Sequence, residues 1–219
     1  MKRINIAIDG FSASGKGTTT KLLAKKLNYN YLDTGAMYRS IAYYISKNNI
    51  KIENITLQDL EKLNLNFNEK NEIILNGENI ERLIRNENIA KITSNIAKNK
   101  FVRNFLTKKQ KEIVKSKGFI AEGRDIGSNV IPNAEVKIFL TASVEIRAKR
   151  RLEDMKKQGI LSNLEEVKKQ IEERDHEDLT RELSPLIKVR DAIEIDTSNI
   201  SIDEQVEFIE KIAKKIINA

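Results

Sequence analysis

The stretch Gly10-Phe11-Ser12-Ala13-Ser14-Gly15-Lys16-Gly17-Thr18 decides how the rest of the chain is read. Before it, Ile4-Asn5-Ile6-Ala7-Ile8 is a short apolar, largely β-branched run of strand type. After it, Thr18 to Leu27 reads as a helix with Leu22, Leu23 and Leu27 on one side. Glycines between the two let backbone N–H groups converge on an anion at the helix N-terminus. Lys16 adds a mobile point charge, expected to face solvent until the anion arrives. Strand, glycine-rich loop, lysine and helix in this order imply a site for the phosphates of a nucleoside triphosphate, with all nine residues in contact with it. The position directly after the lysine, usually a hydroxyl, is Gly17, and Thr18 follows. The loop is therefore the Gly-Lys-Gly-Thr variant of a P-loop.

The composition narrows the remaining options. A chain of 219 residues fits one α/β domain with small insertions and is long enough to bury a full core. No apolar run is long enough to span a bilayer, and the first strand ends at Asp9. No signal peptide is visible, so a cytoplasmic protein without a membrane partner is expected. With no cysteine there is no disulfide or thiolate chemistry, and the single His176 cannot build a histidine metal cluster. A net charge of +7 suggests phosphorylated partners. The lysines are scattered and no arginine–aromatic stripe occurs, so nucleic acid is not expected among them.

Taken in order, Tyr29 to Leu32 is a second strand. Asp33 or Thr34 caps the next helix, whose apolar face carries Met37, Ile41 and Ile45. Arg39 lies one turn past Gly35 and so points back toward that terminus. Leu63, Leu65 and Phe67 alternate with asparagines, Glu72 to Leu75 is a short strand, and Asn76-Gly77 is a hairpin turn dipeptide. These predict a small antiparallel sheet inserted into the α/β pattern. A helical region follows from about Asn86 to Lys117, broken near Lys98 to Lys100, with Gly118 as its C-cap. Phe119-Ile120-Ala121 enters the sheet and leads into Glu122-Gly123-Arg124-Asp125. Val136 to Leu140 is the next core strand, and Ser143 starts a helix that runs to a break at Gln158-Gly159. Ser162 with Glu165 predicts a capping box for a helix whose continuation presents Arg174, Asp178 and Arg181 on one side. Ala192 to Asp196 is the last strand, and Ser201 with Glu204 boxes the closing helix.

Strands alternating with helices behind a P-loop imply a three-layer α/β/α P-loop NTPase fold with a parallel central sheet and a small antiparallel β insertion. Ligands of such sheets bind beyond the carboxyl ends of the strands. Arg39, Arg103 and Arg124, with the Arg174–Asp178–Arg181 face, are best read together as a pocket for a phosphorylated acceptor, because guanidinium forks suit phosphate oxygens.

Several stretches then resemble bacterial cytidylate kinases. They are the loop at 10–18, Asp-Thr-Gly-Ala-Met-Tyr-Arg at 33–39, Glu-Gly-Arg-Asp-Ile-Gly at 122–127, Arg-Ala-x-Arg-Arg at 147–151, Arg-Asp-x-x-Asp at 174–178 and Ser184-Pro185-Leu186. The resemblance covers nearly the whole chain. It implies a single P-loop kinase domain over 1–219, with an inserted acceptor-binding subdomain at about 62–100 and a lid at about 149–162. The implied activity is phosphorylation of CMP and dCMP by ATP with magnesium, in a monomer. Arg39 and Arg124 would hold the acceptor phosphate beside Thr34. Ser94, Arg103 and Asp125 would read cytosine, with Arg181 nearby, and Arg174 and Asp178 would meet the sugar. Lys16, Arg124, Arg147, Arg150 and Arg151 would be catalytic, the last three bordering the lid. Thr18, and Glu122 through a water, are the expected metal neighbours. Two positions depart from the family pattern: Glu122 stands where Asp is usual, and Asn86 where Ser or Thr is. A P-loop kinase for another acceptor, a regulatory GTPase and a basic nucleic-acid-binding ATPase are the competing readings. The GTPase lacks its signature, since Asn99-Lys100 is followed by Phe101-Val102.

Overall fold

A computed structural model of the chain describes residues 2–157 and 159–218. Its backbone forms two compact units, one made of the residues up to Tyr31 with those from Lys117 onward, the other of Leu32–Ser116.

The larger sheet is built of parallel strands. β1 (Ile6–Gly10), β2 (Asn30–Asp33), β6 (Phe119–Gly123), β7 (Val136–Thr141) and β8 (Ile193–Asp196) form one sheet in the order β2-β6-β1-β7-β8. β1 lies between β6 and β7, parallel to both, with Ile8 level with Glu122 and Gly10 level with Leu140. Chain order reverses at β1, so its carboxyl end is the switch point where an open α/β sheet takes its ligand. β1 starts two residues later than its apolar run suggested. The Asn5 N–H is taken by the Glu135 side chain at 2.9 Å, and the ladder to β7 extends through Gly10 instead.

Helices α1 (Lys16–Leu27) and α8 (Ile202–Ile217) cover one face of the sheet. Leu23 and Ala24 of the first, and Val206, Ile209 and Ala213 of the second, pack on Ile6, Ile8, Ile120, Ile138 and Leu140. Leu22 is 38% exposed, so the buried side of α1 is narrower than the leucine pattern implied. The Ser201–Glu204 box is present at the start of α8.

Helices α6 (Val144–Lys157) and α7 (Leu164–Thr180) pack on each other through Ala148, Met155, Val167 and Ile171. The expected Ser162–Glu165 box is displaced by one residue. Asn163 is the cap, accepting from the Glu166 N–H at 2.9 Å, and Ser162 donates to the Glu166 carboxylate at 3.1 Å. Asparagine caps as well as serine, so the local signal was degenerate. Gln158, half of the expected break, lies outside the described residues.

The second unit holds α2 (Thr34–Lys47), α3 (Leu57–Glu61), α4 (Glu87–Ile96) and α5 (Lys100–Val114). With them is an antiparallel sheet of β3 (Leu65–Phe67), β4 (Ile73–Leu75) and β5 (Glu78–Asn79). The Asn76-Gly77 turn has φ of 51° and 84°, the left-handed pair a tight hairpin needs. The break between α4 and α5 falls at Asn99, whose side chain accepts from the N–H groups of Phe101 and Val102. Helix α5 ends at Val114, short of Gly118. The left-handed pair Lys117 and Gly118 (φ 58° and 77°) turns the chain into β6 instead of capping the helix.

Candidate active site

The loop leaving β1 depends on backbone geometry that few side chains permit. Gly10 has φ 148°, and a Cβ there would lie 2.0 Å from the Leu140 carbonyl oxygen, so only glycine lets β1 turn away beside β7. Ala13 and Gly15 also have positive φ, 58° and 93°. Gly15 is the N-cap of α1 and supplies no side chain to bond the first-turn N–H groups. A helix N-terminus left uncapped in a loop of converging amides is a phosphate site.

Lys16 is 6% exposed, not solvent-facing as its mobility suggested. Its Nζ donates to the Phe11 carbonyl at 2.5 Å and to Ser14 Oγ at 3.4 Å. Burial and then the neighbouring Arg124 push its ammonium well below its ordinary pKa, against the pull of Glu122, Asp178 and Asp9. The loop's carbonyl thus stands in for an anion, because a buried ammonium needs some oxygen partner. Thr18, by contrast, is exposed.

Glu122 shares the sheet face of Ile8 and Ile120, the face beneath α1. Its Oε1 accepts from the Tyr31 hydroxyl and lies 3.2 Å from where a Cβ on Gly17 would stand. The longer carboxylate is thus carried to the first turn of α1 and held there by a buried phenol. On the opposite face Asp9 clamps the turn after β6. Its two oxygens accept from the Ile126 and Gly127 N–H groups, both at 2.8 Å. Burial raises its pKa to about 6, although those two amides favour the charged form. Asp9 is a positioning residue to which the sequence assigned no role; its one signal is a carboxylate at the carboxyl end of a buried strand.

That clamp fixes the segment carrying Arg124 and Asp125, which continues into a π-helical turn at Ile126–Val130. Arg124 Nε bonds Asp178 Oδ2 at 2.7 Å, and Arg181 Nη1 bonds Asp178 Oδ1 at 3.2 Å. Arg181 Nε donates to the Ser184 carbonyl at 2.8 Å. Asn129 bridges Asp125 Oδ2 and Ser184 Oγ, at 3.0 and 3.2 Å. The end of α7, the Ser184 turn and the Arg124–Asp125 segment therefore form one network. Burial would raise the Asp178 carboxyl, but Arg124, Arg174 and Arg181 outweigh it and hold it below the usual carboxylate range.

The three arginines of α6 have separate surroundings. Arg147 is buried, with Nη1 on Asp175 Oδ2 at 2.5 Å, Nε on the Ala142 carbonyl at 2.9 Å, and its guanidinium 5.1 Å from the centre of the Phe11 ring. It also reaches the Ser12 carbonyl at 3.4 Å, so it braces the outer turn of the P-loop against α7. Arg150 donates to the Thr197 carbonyl and hydroxyl at 2.6 and 3.0 Å. Arg151 is half-buried. Asp175, within the quoted 174–178 run but given no role there, is the carboxylate that anchors Arg147.

In the second unit Asp33 caps α2, accepting from the Ala36 N–H at 2.8 Å. Its Oδ2 also meets Arg39 Nη2 at 3.1 Å and Arg85 Nη2 at 2.9 Å. Burial would raise this carboxyl too, but Arg39 and Arg85 outweigh it and hold it below its usual range. Thr34 is buried in the first turn of α2 and Ser94 is half-buried on α4. Arg103 is 4% exposed, with Nε on the Ala97 carbonyl at 3.0 Å and its guanidinium 5.4 Å from the centre of the Tyr38 ring.

A parallel sheet switching order at β1, an uncapped phosphate loop there and a lysine within it define a P-loop kinase architecture. Solved structures agree on the fold: shikimate kinase from Bacteroides thetaiotaomicron superposes with a TM-score of 0.50 at 13% identity, covering 97% of this chain and 99% of that one. An uncharacterised protein from Eubacterium ventriosum gives a TM-score of 0.53 at 15% identity with the same coverage. The family model for cytidylate kinase matches residues 6–216, and the chain belongs to that family. It is 45% identical to the cytidylate kinase of Bacillus cytotoxicus, covering 99% of this chain and 98% of that protein. It is 48% identical to the cytidylate kinase of Fervidobacterium nodosum, covering 96% of each.

Proposed function

We propose that this chain transfers the γ-phosphoryl group of ATP to CMP and dCMP, releasing ADP with CDP or dCDP. Membership of the cytidylate kinase family over nearly its full length carries the reading, and the P-loop supplies the donor half of the chemistry. The attacking atom is a phosphate oxygen of the acceptor, already largely ionised at neutral pH because its second pKa is about 6. No side chain has to remove a proton from it. The protein's work is then positioning and charge neutralisation.

The donor phosphates lie on the amides of the 10–18 loop, and Lys16 exchanges the Phe11 carbonyl for their oxygens. Arg39 and Arg124 orient the acceptor phosphate, with Thr34 beside it. Ser94, Arg103 and Asp125 accept and donate at the cytosine edge with Arg181 as a further contact, while Arg174 and Asp178 meet the sugar. Arg150 and Arg151 flank the transferring group at a lid of about 149–162, and the acceptor subdomain comprises about 62–100. Arg147 serves from behind, by fixing the P-loop's outer turn.

Magnesium suits this donor set, since Thr18 and Glu122 offer only oxygens and a hard cation retains waters that such groups hold. Among the described residues no group of three or more His, Cys, Asp or Glu could hold a metal ion. Bound there, magnesium would neutralise charge on the β and γ oxygens of ATP. Thr18 would hold it directly and Glu122 through water, with the Tyr31 hydroxyl fixing that carboxylate. We place the enzyme in the cytoplasm, as a monomer without a nucleic-acid partner. Among the described residues no helix is long and apolar enough to cross a membrane.

ADP release from ATP, measured with each nucleoside monophosphate in turn, tests the reading. CMP and dCMP should far exceed AMP, because a site built to hydrogen-bond one base edge can reject its lack by about 10⁴–10⁵. UMP, which swaps part of the pattern, should fall between. Equal rates with AMP and CMP overturn the assignment.

A further inference from the structure

We propose that Arg85 is a second arginine of the acceptor-phosphate site, held beside Arg39 by the shared carboxylate of Asp33. The inference rests on the function proposed above and adds a residue and a positioning device to it.

The geometry is local to the second unit. Arg39 Nη2 and Arg85 Nη2 converge on one atom, Asp33 Oδ2, at 3.1 and 2.9 Å. Their terminal nitrogens are therefore no more than about 6 Å apart. Two guanidinium groups this close repel each other unless something negative lies between or in front of them. Asp33 lies between them, and it is the inner member: its side chain is 9% exposed, against 20% for Arg39 and 36% for Arg85. The carboxylate is the post and the guanidiniums form the outer surface. Asp33 cannot follow a ligand outward, because its Oδ1 is committed to the Ala36 N–H at the head of α2.

Arg85 sits on a turn that is tied down on both sides. Ile80 and Ile84 are fully buried on either side of the turn, and the Leu83 and Ile84 N–H groups close it onto the Ile80 carbonyl. Asn86 then caps α4 by accepting from the Ile89 N–H at 3.0 Å and donating to the Leu83 carbonyl at 2.8 Å. The departure at residue 86 thus preserves the cap that fixes its neighbour. Glu81 holds Arg85 from the other side, with Oε1 at 3.0 Å from Nε and 2.6 Å from Nη2. Two carboxylates balance two guanidiniums at rest, and the Nη1 group of each arginine takes no part in these carboxylate bonds. A phosphate carries three oxygens that accept from such forks. It would be gripped by Arg39 and Arg85 together, with Asp33 keeping their spacing.

Calorimetric titration of CMP and of cytidine, without ATP or metal, separates a phosphate contact from a structural one. Relative to the parent, Arg85→Ala should weaken CMP about 10-fold to 100-fold, the worth of hydrogen bonds to a charged group. Cytidine, which lacks the phosphate, should bind within about twofold of the parent, on the same reasoning. Arg85→Lys keeps the charge and the tie to Asp33 but not the fork. It should give an intermediate loss for CMP alone, and it carries the test if the alanine variant does not fold. Equal weakening of CMP and cytidine, or CMP binding unchanged in both variants, overturns the role of Arg85 and leaves the proposed function standing. A parent that fails to bind CMP overturns both.

Discussion

Replacing Asp178 by alanine tests the network that joins α7 to the Arg124 segment. The carboxylate is 14% exposed in its side chain, and its partners Arg124 and Arg181 are 18% and 6% exposed, so all three are largely out of water. Removing one member of such a pair leaves buried positive charge unbalanced, which costs about 3–5 kcal/mol. For a chain of this length each kcal/mol shifts the melting temperature by about 2–4 °C, so a fall of roughly 6–20 °C is expected. Calorimetric melting at neutral pH reads it directly, and the pH dependence identifies its origin. Asp178 is held below its unfolded pKa, which is about 3.9. Its stabilisation is therefore complete above that value and disappears as pH falls through the folded pKa. The gap between parent and variant should be constant above about pH 5 and should narrow below about pH 4. A gap under about 1 kcal/mol at neutral pH, or one that stays constant into acid, would refute the argument. In steady-state assays the same variant should raise KM for CMP strongly while barely changing KM for ATP. Parallel changes in both would remove Asp178 from the acceptor side.

Two other substitutions probe the donor side. Lys16→Ala should lower turnover by about 10²-fold or more, the loss expected for one preorganised charge. Its melting temperature should equal or exceed the parent's, because a buried ammonium pushed below its usual pKa does not favour folding. Near-normal turnover would take Lys16 out of the reaction. Asp9→Asn addresses a carboxyl raised to about 6. The folded parent keeps a proton that the unfolded chain releases between about pH 4 and 6, so the ionised group opposes folding above that window by about 3 kcal/mol. The variant should therefore gain stability relative to the parent as pH rises from 4 to 7; a pH-independent difference would show that Asp9 stays charged throughout.

Local rules made most of the architecture legible in the sequence. Gly15 and Lys16 announced the phosphate loop because their conformational and charge requirements are met within nine residues, whereas the need for glycine at Gly10 comes from the distant Leu140 carbonyl. The Asn76-Gly77 hairpin and the Ser201–Glu204 box were readable for the same reason: cap and turn chemistry acts within four residues of itself. Where two neighbours offer equivalent chemistry the reading slipped by one residue, as at Ser162 and Asn163.

What the sequence by itself determined is a parallel α/β kinase fold, its donor loop, its family, and the residue types that surround the acceptor. Tertiary structure decided which carboxylate each arginine answers to. Asp9 finds the Ile126 and Gly127 amides, Arg147 finds Asp175 and the P-loop, Glu122 finds the phenol of Tyr31, and Asp33 joins Arg39 to Arg85. Only the approach of Arg39 to the terminus capped by Asp33, six residues away, had a spacing to read; the other partners lie far apart in the chain or on a turn placed by buried isoleucines. Burial selects them: a charge removed from water must find an opposite charge or a converging set of amides, and only the folded chain determines which one is within reach.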